Sequence, residues 1–182
     1  TAVKIDSAAF LYRLNLASAY MYDGKFASAA DNASVAIGIS AADPKPYFVL
    51  GSADFSLGKN DDAIKYLTIA TEKGLNDESV WNYLGGAYSG ANNYEKAREC
   101  FEKALQANPL SSNGYKNLGS AYGNMHRLDK ALEVFKRGLD ANPSDPELMK
   151  LVGMTYEELG DSTSAQRYFG MAEQLMAAQR ER

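Results

Sequence analysis

Side chains able to act as acid, base, nucleophile or metal ligand are few in this sequence and scattered along it. An active centre needs such groups to converge. His126 is the only histidine, and it falls in a predicted turn where Gly24, Gly58 or Gly160 stand elsewhere, so it reads as a solvated turn residue rather than a base. Cys100 is the only cysteine, which excludes an internal disulfide and any Cys-based metal cage. Next to Phe101 on a predicted helix, it is expected to be buried as a small apolar residue. Asp61 and Asp62 open a helix, where negative charge suits the positive end of the dipole. Gly85, Gly86 and Gly90 do not make a phosphate loop, because no strand precedes them and the lysine is lacking. Asn32-Ala33-Ser34 has the letters of a glycosylation acceptor but lies inside a predicted helix. No catalytic residue, metal site or cofactor is therefore expected.

What does recur is a set of large apolar and small residues at one fixed interval. Trp81, Leu84, Gly85, Tyr88, Ala97, Phe101, Ala104 and Pro109 are followed 34 residues later by Tyr115, Leu118, Gly119, Tyr122, Ala131, Phe135, Gly138 and Pro143. A further step gives Met149, Val152, Gly153, Tyr156, Ala165, Phe169 and Ala172. Backward steps give Tyr47, Leu50, Gly51, Asp54, Ala63, Leu67 and Ala70, then Arg13, Leu16, Ala17, Tyr20, Ala29, Ala33 and Ala36. The eighth and twentieth places of every unit are Ala or Gly, which lets two helix backbones approach closely.

The spacing W-x2-L-G-x2-Y, A-x3-F, P at this period resembles the tetratricopeptide repeat family, and the resemblance covers about nine-tenths of the chain. It implies an all-α fold, a right-handed α-solenoid of five helix-turn-helix repeats. The repeats would occupy residues 10–43, 44–77, 78–111, 112–145 and 146–179 of a single domain, with 1–9 as a lead-in and 180–182 as a tail. Arg13, Asp54 and Ala33 depart from the pattern. Arg13 stands where other units face a preceding one, as expected at the amino-terminal end of an array. Asp54 is expected to bond a neighbouring side chain or to turn outward.

Helices are expected at about 10–22 and 26–39, 45–57 and 60–73, within 78–107 and 112–140, and at about 146–159 and 162–178. Asp43-Pro44 and Asp145-Pro146 mark helix starts, with Asp as cap and Pro in the first turn. The last predicted helix ends near Arg182 without a further helix to cover it, so Met171, Leu175 and Met176 present apolar surface that solvent or a second copy would meet.

A formal net charge of −4 and a pI near 5.1 disfavour nonspecific binding to nucleic acid or anionic membranes. No run of 18 apolar residues is present, so membrane insertion is not expected. A leader is not visible at Thr1, and a lone thiol suits cytoplasm or periplasm equally. The compartment is left open.

In the family the first helix of each unit lines a concave face, and its second, fifth, sixth, ninth and twelfth places point inward. Carried over, the resemblance implies a peptide-binding groove of Leu14, Asn15, Lys45, Phe48, Val49, Phe55, Asn82, Tyr83, Asn113, Lys116, Asn117, Ser120 and Lys150. Leu14, Phe48, Val49 and Phe55 would take an apolar anchor. Asn82, Asn113 and Asn117 would bond the ligand backbone, since an amide both donates and accepts. Lys45, Lys116 and Lys150 would favour acidic ligand residues. The lysine and asparagine clamp by which some members hold acidic chaperone tails finds only Asn117 in place, so a co-chaperone of that type is not expected. The expected function is a non-catalytic scaffold holding a peptide or helix of another protein, with homo-oligomerisation through the C-terminal helix as the alternative.

Overall fold

The computed structural model describes residues 6–180; residues 1–5 and 181–182, parts of the expected lead-in and tail, lie outside them. The described residues form ten helices: α1 Ser7–Tyr22, α2 Phe26–Ile39, α3 Pro44–Ser56, α4 Asn60–Glu72, α5 Glu78–Gly90, α6 Tyr94–Ala107, α7 Ser112–Asn124, α8 Leu128–Ala141, α9 Pro146–Glu158 and α10 Ser162–Arg180. No strand occurs among them. The chain divides into two compact units, Thr1–Asn93 and Tyr94–Arg182. The first holds α1–α5 and the second α6–α10.

In the first unit, α1 packs on α2 and α3 on α4, while α1, α3 and α5 also touch in series. α1 begins three residues before the expected Phe10, because Asp6 caps it by accepting a hydrogen bond from Ala9 N at 3.0 Å. Asp43 caps α3 through Lys45 N at 2.8 Å, and Asp77 caps α5 through Val80 N at 3.0 Å. The α1 and α3 ends turn through Gly24 and Gly58, both at positive φ, after which Lys25 N and Lys59 N bond back to the Tyr20 and Asp54 carbonyls. The core joins Phe10, Leu14 and Ala17 to Ala33, Ala36, Val49 and Leu50. Small residues are required at its contacts: a Cβ on Gly51 would lie 3.0 Å from the Leu67 backbone nitrogen. Arg13 donates from Nη1 to Asn32 Oδ1 at 2.9 Å, which ties α1 to α2.

Asp54 turns inward rather than to solvent and is only 5% exposed. The Lys59 ammonium, on a largely exposed side chain, lies 3.7 Å from the Asp54 carboxylate. Burial raises the Asp54 pKa above the ordinary carboxylate value of 3.8, and the pull of Lys59 only partly opposes it. A carboxyl whose folded pKa is raised costs nothing when protonated, and its penalty grows as pH rises from about 3.8 through the folded value. Asp54→Asn is therefore expected to be more stable than wild type at pH 7, with the gain disappearing at pH 3. Thermal unfolding at the two pH values checks the sign.

In the second unit, α7 packs on α8 and α9 on α10, with α7 also touching α9. Gly119 meets Phe135 and Gly153 meets Phe169, the same close contact that Gly51 makes with Leu67. Cys100 is buried, and burial pushes its thiol up to about 11, so it carries no thiolate at neutral pH. His126 adopts φ 57 in the turn after α7, matching the glycine turns of other repeats. Tyr156 stacks on Tyr168 at 5.8 Å and accepts a hydrogen bond from Lys136 Nζ at 2.6 Å, fastening α8, α9 and α10 together.

Candidate functional site

The inner-face residues expected in the first unit are drawn mostly into the fold. Leu14 and Val49 are 8% and 7% exposed and belong to the core between α1, α2 and α3, so the expectation that they receive a ligand is corrected. Phe48 and Phe55 are half-buried, and the Tyr83 ring meets both edge-on, at 5.7 and 5.8 Å. Edge-to-face contact is the geometry aromatic rings prefer. Phe55 also lies against Gly86, where a Cβ would come within 2.9 Å of its ring. Ser52, one turn from both phenylalanines, is buried, and its hydroxyl has no hydrogen-bond partner among the described residues. Asn15 and Lys45 are exposed, and Asn82 donates to Glu78 Oε1 at 3.3 Å.

The second unit presents more polar surface. Asn113 and Ser120 are exposed on α7, while Asn117 and Lys150 are half-buried. Lys116, expected to face acidic ligand residues, is engaged with carboxylates of this chain. Its ammonium lies 3.5 Å from Asp145 Oδ2 and also bonds the Glu147 carboxylate. Burial works against the charged lysine, yet these two carboxylates raise its pKa overall. Asp145 also accepts hydrogen bonds from the Ser112 hydroxyl and from Glu147 N and Leu148 N. Burial pushes the Asp145 pKa up, but the Ser112 hydroxyl, the two backbone N–H groups and Lys116 together hold it below the usual carboxylate range.

Toward the carboxyl-terminal ends of α7 and α9, a cavity of about 500 Å³ opens between α7, α8 and α9. Ser120 and Gly123 form one wall, Leu151 and Met154 the other, and Leu128 and Phe135 the base. Its size lies within the roughly 300–1,000 Å³ of ligand pockets. Of its lining residues, the inward places of the first helices supply Ser120, Gly123, Leu151 and Met154. The contribution of α8 and of Glu158 was not signalled by that spacing. A second cavity of about 380 Å³ lies among α6, α7 and α8, with Glu102, Lys130, Glu133 and Arg137 at its margin.

Two tetratricopeptide repeat models match the chain, at residues 79–111 and 100–133. Residues 79–133 thus carry tetratricopeptide repeats. Solved structures share the chain's repeat fold. "Crystal structure of MamA" is 20% identical with a TM-score of 0.84, covering 92% of this chain and 98% of that one. "MamA RS-1 ArsTM double mutant" is 20% identical with a TM-score of 0.87, covering 96% and 98%. "Crystal structure of YrrB: a TPR protein with an unusual peptide-binding site" is 16% identical with a TM-score of 0.76, covering 90% and 84%. No curated protein matches. The described residues thus have an all-α helical-repeat architecture, and no described helix is long and apolar enough to cross a membrane.

Proposed function

We propose that the protein is a non-catalytic scaffold that docks a peptide or helical segment of another protein on the inner face of its first-position helices. The observation that carries this reading is the combination on α7 and α9. Exposed Asn113 and Ser120 stand with half-buried Asn117 along α7, and Ser120 lines an open cavity whose other walls include Leu128, Phe135, Leu151 and Met154. Amides and hydroxyls satisfy a ligand backbone in either direction, and the apolar cavity takes a side chain. YrrB, which shares the fold, is described as having an unusual peptide-binding site, and this supports peptide binding as a use of the fold.

Asn113→Ala with Asn117→Ala is the test. Losing two hydrogen bonds at about 0.5–1.5 kcal/mol each is expected to weaken capture of the partner about 5- to 150-fold. Arg137→Ala on α8 leaves capture unchanged. The measurement is a titrated pull-down from the native source, in which one protein identified by mass spectrometry is followed across the variants. Equal loss in the α8 variant places the partner elsewhere.

Met171, exposed on α10, with half-buried Leu175 and Met176 a turn further on, favours self-association as a second reading. Light scattering across a concentration series separates the two readings. A monomer at every concentration removes self-association.

A further inference from the structure

The notch between successive first-position helices is filled by the chain itself in the first unit. Between α3 and α5 it takes Phe55, which lies against Gly86 and edge-on to Tyr83. At the matching place of α1, the half-buried Met21 packs on the core containing Val49. Adding 68 residues to Phe55, Tyr83 and Gly86 gives Gly123, Leu151 and Met154. All three line the cavity between α7 and α9. A Cβ placed on Gly123 would meet nothing within 4 Å. The aromatic ring that completes the fold at one notch is therefore missing at the other, while the apolar walls remain. Met154 is 50% exposed at the mouth, and a thioether packs well against an aromatic edge.

The charge around the mouth is one-sided. Glu158 lines the cavity and Glu157 is exposed beside it, both at the end of α9. The carboxyl-terminal ends of α7 and α9 carry the negative poles of their dipoles. The neighbouring cation, Arg127, is already paired with Glu95 at 2.7 Å. Lys150 stands one turn back toward the start of α9.

From this we infer that the cavity is an anchor pocket for a partner segment in which an aromatic side chain is followed by a basic residue. The aromatic ring enters the space left open at Gly123, packed against the Met154 side chain that stands where the first unit has Gly86, and the cation lies against Glu157 and Glu158. The inference rests on the inner-face docking reading and assigns its anchor.

The test uses the full chain with 13C-labelled methionine methyls and three probes: the N-acetyl amides of Phe-Arg, Phe-Glu and Gly-Arg. Phe-Arg is expected to displace the Met154 methyl resonance saturably, Phe-Glu to bind at least fivefold more weakly, and Gly-Arg to leave Met154 unmoved. Gly123→Phe fills the pocket from within and should abolish the Phe-Arg response. Should that variant fail to fold, Glu158→Lys answers the same question by narrowing or reversing the Phe-Arg preference. No displacement at Met154, equal response to Phe-Glu, or displacement by Gly-Arg alone overturns the assignment. If Phe-Arg fails while Asn113→Ala with Asn117→Ala still weakens partner capture, only the anchor pocket falls. If Phe-Arg binds while those alanines leave capture intact, the docking reading falls instead.

Discussion

Phe135→Ala is expected to lower the unfolding free energy by about 3–5 kcal/mol, the usual cost of emptying a buried aromatic site. The ring is 3% exposed and packs directly on Gly119, where even a methyl group would collide with it. Gly119→Ala alone should cost about 1–3 kcal/mol by overpacking. Because the added methyl enters the space that Phe135→Ala vacates, the double variant should lose less than the two single losses added together. Urea unfolding of all four proteins measures the coupling. Strict additivity would mean that the two side chains do not share that space.

Asp145→Ala is the second large effect, at about 1–3.5 kcal/mol. It removes the α9 cap, worth about 0.5–2 kcal/mol, and the hydrogen bond from Ser112, worth about 0.5–1.5 kcal/mol. It also leaves Lys116 paired with Glu147. Because the folded Asp145 pKa is lowered, its contribution is fully present above the ordinary value of 3.8 and is lost as pH falls through the folded value. The gap between wild type and variant should therefore be constant from pH 5 to 8 and shrink below about pH 3.8. Melting temperatures across that range provide the comparison. A gap that persists unchanged at pH 2 would assign the loss to packing rather than to the carboxylate.

Repeat register made the helices legible from the letters. Small residues at the eighth and twentieth places of each unit, and Asp-Pro at two helix starts, mark contacts and caps that depend on local sequence alone. The early start of α1 depended on Asp6, which stands outside the repeat. The site was harder to read because the inward places of a helix describe an average repeat. Leu14 and Val49 stand at such places, but as apolar side chains beside a core of Phe10, Ala33 and Leu50 they turn into it. Lys116 meets acids 29 and 31 residues further along, so its neutralisation could be seen only in three dimensions. The cavity arises from what Gly123 lacks relative to Phe55. A missing side chain acquires meaning only when its neighbours leave the space open.

Inner-face docking is tested most directly by photo-crosslinking. A benzoylphenylalanine replaces Asn113 or Ser120 on α7 in one set of proteins and Arg137 on α8 in another, each irradiated with the partner bound. Docking on the inner face predicts adducts to the same partner from the two α7 positions and none from Arg137. Adducts from Arg137 alone, or only between copies of this chain, would contradict it.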